Sequence, residues 1–319
     1  MTVAEKGCPP RLTSRPVPAP GPGQVTVAIR AAALNFADLL MVDGRYQDTP
    51  AFPFVPGLEG AGEIVAVGPE VDPPHGLRID QRVAVAAQGT LAERGNFDAA
   101  ACIPIPDAMG WAEAAGFVVA YGTSHLALTG RAGLQPGETL VVLGAGGGVG
   151  LTAVEIGAAL GARVVAVARG ADKLQAARQA GATDLIDSGE TADLRATLRS
   201  LDGCDVVYDA VGDAPGLAAF GALRPGGRFL VIGFAGGKPP ALPLNHALVK
   251  NITIHGFYWG GYRTLDPAAM RASLDALIAL YARGRLRPPV GTVLPLERAE
   301  DAYALLRDRR SIGKVILTP

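Results

Sequence analysis

Apolar and polar residues alternate with a period of two through the first third of the chain. Residues 25–30 (VTVAIR), 62–67 (GEIVAV) and 82–86 (RVAVA) are short and rich in β-branched side chains, and each predicts a strand. Pro20-Gly21-Pro22-Gly23, Pro56-Gly57, Gly68-Pro69 and Asp72-Pro73-Pro74 punctuate them as turns. Short strands with few helices predict a compact β-barrel-like domain. The pattern changes near Trp111. Residues 111–128 have helical spacing, with Glu113 as a first-turn acid. After Pro136-Gly137-Glu138, strands at 139–143, 163–168, 184–186, 205–208, 228–232 and 251–255 are interleaved with helices at 149–160, 172–180 and 192–200. Strands alternating with helices predict an α/β domain with a parallel sheet and right-handed crossovers. A helix at 267–281, apolar at Met270, Leu274, Leu277, Ile278 and Tyr281, is followed by a helix at 297–307 and a last strand at 314–318. No internal repeat is evident, so two different domains are expected rather than a duplication.

Composition narrows the function. The chain has 319 residues, enough for two domains, and 49% of them are hydrophobic. Basic and acidic side chains number 29 and 30, which gives no electrostatic reason to expect nucleic acid or an anionic membrane as partner. No apolar run reaches the roughly 18 residues of a membrane span. Cys8, Cys102 and Cys204 form no CxxC pair, and residues 1–10 lack the apolar core of a signal peptide. A cytoplasmic enzyme is the expectation.

The strongest local signal is residues 141–150, VVLGAGGGVG. It follows a predicted strand and opens a predicted helix. Small residues there let the backbone approach a pyrophosphate, and the amides at the helix start bind its charge. Ala145-x-Gly147-x-x-Gly150 is the dinucleotide fingerprint with Ala in first place, and Gly148 and Val149 open the helix. The bland alternative is a tight turn with no ligand. The next strand ends at Ala168 without the acid that would bind a ribose 2′-hydroxyl. Arg169 and Lys173 follow instead, which favours a 2′-phosphate and hence NADPH. A solvated helix start is the competing account of these two cations.

Asn35-Phe36-Ala37-Asp38 with Gly44 and Tyr46, then residues 54–62 (FVPGLEGAG), Tyr121-Gly122-Thr123, the Ala145 to Gly150 loop, Asp209-Ala210-Val211-Gly212, residues 233–237 (GFAGG) and residues 256–260 (GFYWG) follow one another along the chain. Taken in that order, these motifs resemble the zinc-independent quinone oxidoreductases of the medium-chain dehydrogenase/reductase family. The resemblance implies a GroES-like β-barrel (1–117), a Rossmann doubly wound parallel sheet binding NADPH (118–255), and a segment (256–319) that ends the Rossmann domain and returns to the barrel. It implies a cleft holding the nicotinamide, with Thr123, Gly233 and Phe257 near it. It also implies a homodimer joined through the edge strand at 251–255. The departures matter as well. Zinc-dependent relatives carry Cys near Asn35 and His at Leu58, and His75, His125, His246 and His255 show no metal-ligand spacing. Some members place Arg where this chain has Val42, and Tyr where it has Ser188. The usual opening strand is degraded in residues 1–10.

Asn35, Asp38 and Tyr46 are the catalytic candidates. Tyr46 would donate a proton or hydrogen bond to the acceptor oxygen, Asn35 would hold substrate or nicotinamide, and Asp38 would orient its neighbours. The structural alternatives are a helix cap for Asn35, a buried organiser for Asp38 and packing for Tyr46. The function expected is reduction of a quinone or related enone. An enoyl-thioester reductase and a non-enzymatic NADPH-binding protein are the rivals.

Overall fold

A computed structural model describes residues 1–71 and 76–319; the turn expected at Asp72-Pro73-Pro74, and His75, lie outside the described residues. The chain runs β1 (Gln24–Leu34), α1 (Phe36–Val42), β2 (Glu59–Val67), β3 (Arg82–Val85), β4 (Arg94–Asp98), β5 (Cys102–Pro104), α2 (Trp111–Ala115) and α3 (Val118–His125). It continues β6 (Thr139–Leu143), α4 (Gly148–Ala159), β7 (Arg163–Ala168), α5 (Ala171–Gln179), β8 (Asp184–Asp187), α6 (Leu194–Ser200), β9 (Cys204–Asp209) and α7 (Asp213–Ala222). The remainder is β10 (Leu223–Val231), α8 (Leu244–Lys250), β11 (Thr253–Gly256), α9 (Tyr262–Leu265), α10 (Pro267–Ala282), β12 (Val290–Pro295), α11 (Ala299–Arg307) and β13 (Lys314–Thr318). Two units form, one from Met1–Val119 with Pro288–Pro319, the other from Ala120–Arg287.

The first unit is a seven-stranded sheet in the order β12-β13-β1-β2-β3-β5, with β4 also on β1. β1 pairs with β4 at its start, with β13 at its end and with β2 along its length through two register shifts. Such irregularities bend a strand, which lets one strand serve three neighbours. Period-two alternation predicts a strand ending at Arg30, yet β1 continues to Leu34. The alternation lapses because Ala31, Ala32, Ala33 and Leu34 are all buried, with α2 packed over β1. Val25, Val27, Ile64, Val83, Val85 and Phe97 fill the core. Residues 1–11 contribute two isolated bridges, Thr2 to Arg11 and Val3 to Phe54, and no strand.

The helix expected over 111–128 divides into α2 and α3, followed by a π-helical turn at Leu126–Arg131. The break falls at Gly116, the C-cap of α2. A Cβ there would lie 3.0 Å from Cγ of Lys314, so a larger residue would make that side chain give by a few tenths of an ångström.

The second unit is a six-stranded sheet in the order β11-β10-β9-β6-β7-β8, parallel throughout. Every residue of β6 and all but the first of β7 are buried, as strands covered on both faces must be. The strand order reverses between β6 and β9. In a doubly wound sheet that switch point is where ligands bind, beyond the strands' carboxyl ends. Helices α7 and α8 are not evident in the sequence pattern. Pro215 and Gly216 disguise α7, but a proline in the first turn forfeits no helical hydrogen bond. Among the described residues, no helix is long and apolar enough to cross a membrane.

Candidate active site

The loop from β6 to α4 sits at the switch point, and its small residues have separable reasons. Gly144 has φ +76°, a left-handed conformation that favours glycine. A Cβ on Gly150 would lie 2.1 Å from the Gly144 carbonyl oxygen, so α4 can start against the loop only without one. A Cβ on Gly146 would strike the Lys173 side chain at 2.6 Å. Ala145 is fully buried, and its amide donates to the Val167 carbonyl. Gly147 is different. A Cβ there would meet nothing closer than 3.5 Å, and its φ of −87° suits any residue, so no intramolecular contact accounts for glycine. Gly147 is also the N-cap of α4, and no side chain caps that helix. The amides of its first turn, from Gly148, Val149 and Gly150, therefore face whatever lies beyond the loop with the positive end of the helix dipole. That is the arrangement that receives a pyrophosphate.

Beyond β7, Arg169 is exposed, and Lys173 lies in the first turn of α5 with its methylenes over Gly146. The sequence shows no acid at the end of β7, but the structure brings one from the neighbouring strand. Asp187 ends β8 and pairs in register with Ala168. One of its carboxylate oxygens accepts from the Gly170 amide at 3.0 Å, and the other from the Gly189 amide at 2.7 Å. Both oxygens are occupied in shaping the loops. Ser188 is tied through its own amide to the Ala168 carbonyl.

On the other side of the switch point, Asp209 ends β9 opposite Leu143. Its Oδ1 accepts from the amides of Val211 and Gly212 at 2.9 and 2.8 Å, folding the Asp209 to Gly212 motif into a tight turn. Burial raises its pKa, and those two bonds pull the other way. Gly233 follows β10, and its amide donates to the Asp209 carbonyl. Thr123 on α3 is buried. Its neighbour Ser124 bonds to Thr152 on α4 at 2.8 Å and to the Tyr208 hydroxyl on β9 at 3.0 Å. This polar knot ties three elements together behind the loop. Phe257 is buried and packs on Tyr262, with ring centroids 5.4 Å apart. A Cβ on Gly122 would strike the Trp259 indole at 2.6 Å, so Tyr121-Gly122-Thr123 and the segment around Trp259 pack directly together.

In the first unit, Asn35 is the N-cap of α1 and Asp38 its third residue; the Asp38 side chain accepts from the Asn35 amide, while the Asn35 side chain makes no cap bond in return and the Asp38 amide donates to the Asn35 carbonyl. Asp38 is fully buried; its Oδ2 accepts from the Asn35 amide at 2.8 Å and its Oδ1 from the Gly57 amide at 3.1 Å. It ties the start of α1 to the loop before β2. Tyr46 is half-buried and packs against the barrel core. Val42 is buried in that core too.

Two residues with no assigned role in the sequence complete the cluster, Lys314 from the last strand and Glu59 from within the 54–62 motif. Lys314, from β13, donates to Glu59 Oε1 at 2.7 Å, Asn35 Oδ1 at 2.8 Å and the Leu34 carbonyl at 3.0 Å. Asn35 Nδ2 donates to Glu59 Oε1 at 3.0 Å, and the Val119 amide donates to Glu59 Oε2 at 2.9 Å. Lys314 and Glu59 are 4% and 0% exposed, so this is a buried ion pair with every charge hydrogen-bonded. The chemistry fixes the Asn35 amide. An ammonium only donates and a carboxylate only accepts, so Oδ1 must face Lys314 and Nδ2 must face Glu59. One amide N–H and one oxygen lone pair remain for a ligand.

Burial pushes the Asp38 carboxyl from an ordinary 3.8 up to about 6, against the pull of its backbone bonds and of Lys314. Between those values the folded chain keeps a proton that the unfolded chain releases. Asp38's contribution to stability is therefore fully present below 3.8 and lost as pH rises through about 6. The size of the effect is about 3 kcal/mol. Asp38→Asn lacks this slope and sets its NH2 against a backbone N–H, at a cost of about 1–3 kcal/mol. Urea unfolding across the window should show the gap between the two proteins narrowing as pH rises. A constant gap would mean that Asp38 does not titrate there.

Residues 21–150 match the alcohol dehydrogenase GroES-like domain family, and residues 148–278 match the zinc-binding dehydrogenase family. The chain belongs to the medium-chain dehydrogenase/reductase family. It is 35% identical over 310 residues to quinone oxidoreductase-like protein 2 of Bos taurus, covering 96% of this chain and 87% of that one. The quinone oxidoreductase of Thermus thermophilus, whose structures include a complex with NADPH, superposes with a TM-score of 0.87 at 32% identity, covering 100% of this chain and 99% of that one. The Escherichia coli quinone oxidoreductase complexed with NADPH gives a TM-score of 0.87 at 27% identity, covering 96% and 95%. The expected architecture, a GroES-like domain and a Rossmann parallel sheet, is the one found.

Proposed function

We propose that this chain is a zinc-independent, NADPH-dependent reductase of quinones or related conjugated carbonyls. The observation that carries the reading is Gly147: an N-cap glycine that nothing inside the protein requires, before a helix whose first turn no side chain caps. Ala145, Gly147, Gly148, Val149 and Gly150 would hold the pyrophosphate, Arg169 and Lys173 the 2′-phosphate, and Thr123, Gly233 and Phe257 the nicotinamide half. NADPH-bound relatives of the same fold support this assignment. Zinc independence rests on the side chains at the family's metal positions. Asn35 and Leu58 stand where zinc-dependent relatives carry Cys and His, and the described residues hold no cluster of three metal-ligating side chains.

Bound NADPH supplies a hydride. The acceptor also needs a proton at its oxygen, and the Tyr46 hydroxyl is the candidate donor. Asn35, its amide held in one orientation, would hydrogen-bond the acceptor or the nicotinamide. Asp38 is a positioning residue: both of its oxygens hold backbone amides that set where Asn35 sits. The three cysteines are all free, in keeping with a cytoplasmic setting.

The test is NADPH oxidation by the purified protein against quinones, enones and enoyl-CoA esters, repeated with NADH. Turnover of quinones or enones, faster with NADPH, supports the reading. Turnover of enoyl-CoA alone would transfer the assignment to a thioester reductase. NADPH binding without turnover of any acceptor would remove the enzymatic assignment.

A homodimer is the proposed assembly. β11 is an edge strand, and Leu244, Leu248 and Val249 on the preceding α8 are 70%, 80% and 75% exposed. A patch of large aliphatic side chains beside an open sheet edge suits a second copy of this chain. Sedimentation equilibrium should give twice the 32.7 kDa chain mass, and Leu248→Glu should shift it to the monomer. A monomeric parent protein would rule the assembly out.

A further inference from the structure

We propose that the second unit holds a further binding site, between α6, α7 and α8, for a compact carboxylate with an apolar body. A cavity of about 290 Å³ lies there, lined by Arg195 from α6, by Ala214, Leu217, Ala218 and Gly221 from α7, by Pro243 at the N-cap of α8 and by His246 within that helix. None of these residues belongs to the proposed cofactor or catalytic set, so the site stands or falls independently of the reductase reading.

The walls and the polar groups specify different parts of the ligand. Ala214, Leu217, Ala218 and Pro243 offer only hydrocarbon. Arg195 Nε and His246 Nδ1 are buried nitrogens without a hydrogen-bond partner. Arginine stays protonated, so its Nε–H remains a donor, and a buried donor without an acceptor costs about 1–3 kcal/mol. Buried polar groups are almost always satisfied, so an acceptor is called for at this place.

The surrounding charge says which kind. Lys250 donates to the carbonyls of Gly221 and Leu223 at 3.2 and 2.6 Å, and Arg199 donates to the Gly221 carbonyl at 3.3 Å. These two cations are engaged with the carbonyl end of α7. Arg195 lies beside them without any such bond, and none of the three is ion-paired among the described residues. Burial lowers the pKa of Lys250 most, and Arg199 and Arg195 lower it further, so the local field is positive. The guanidinium is also held in place. A Cβ on Gly221 would lie 2.7 Å from Arg195 Nε and 3.1 Å from Cζ, so glycine lets the group lie against the α7 backbone. The planar fork of a guanidinium matches the two coplanar oxygens of a carboxylate. Phosphate would satisfy the charge but leave the aliphatic walls without a partner.

The test uses 4-bromobenzoate as the probe. Isothermal titration of the full chain should show saturable binding, weakened about tenfold or more by Arg195→Met and by Ala218→Phe. The first variant removes the charge at similar length; the second fills the cavity. A crystal soaked with the same acid should place anomalous bromine density between Leu217 and Pro243, with the carboxylate on Arg195. No saturable binding, binding unchanged in both variants, or equal affinity for inorganic phosphate would overturn the proposal. Titration of NADPH into the same samples is a separate readout, so failure here and failure of the reductase reading are distinguishable.

Discussion

Lys314→Met should cost about 3–5 kcal/mol of stability, the usual consequence of removing one partner from a buried ion pair. Glu59 would remain fully buried with a negative charge, held by the Asn35 side chain and the Val119 amide alone. Thermal or urea unfolding reads the loss. The double variant Lys314→Met with Glu59→Gln should recover most of it, because the glutamine is neutral and can still accept from Val119 and bond to Asn35. Activity should not recover with it. With the Val119 N–H holding the glutamine's carbonyl oxygen, its NH2 faces Asn35, and without the ammonium on the other side the Asn35 amide turns over, Oδ1 toward residue 59 in place of Nδ2. A refolded double variant with depressed kcat would separate orientation of Asn35 from simple stability. Full kcat in that variant would mean that the cluster only holds the fold.

The second large effect concerns the cofactor's phosphate. Arg169→Ala combined with Lys173→Ala should weaken NADPH binding by about 100-fold, two charge-assisted contacts at about 1.5 kcal/mol each. NADH, which lacks the 2′-phosphate, should lose only a few-fold. Part of even that small loss has a local cause. The Lys173 methylenes cover Gly146, so truncating them disturbs the loop as well as the charge. Lys173→Met keeps the cover and removes the charge, so it should affect NADPH alone. Equal losses for both cofactors would sink the assignment of these residues to the 2′-phosphate.

Local periodicity is enough for the strands and helices around the glycine loop, because β6 and β7 are continuous apolar runs bounded by turn residues. The break at Gly116 is not readable, since apolar spacing runs on through the residue that caps α2. Nor is the end of β1, where burial on both faces erases the alternation on which the reading depends. Separation along the chain governs the site. A strand followed by small residues and a helix announces the loop locally. Glu59 and Lys314 are separated by most of the chain, and each alone is an ordinary charged residue. Asp187 escapes notice because it arrives from the strand beside β7 rather than along it. Arg195 and His246 carry no motif, and only the packing of three helices brings them to one cavity.

β1 is completed by β13, the last strand of the chain, while residues 120–287 between the two parts form a unit of their own. On a ribosome, domains ordinarily fold in the order in which they emerge. Here that order is inverted. The central unit can close while the amino-terminal strands already outside still lack their partner, and the first unit must wait for β12 and β13. Until then one edge of the end of β1, Ala32–Leu34, stays open on the nascent chain, while β2 and β4 can already pair with the rest of the strand.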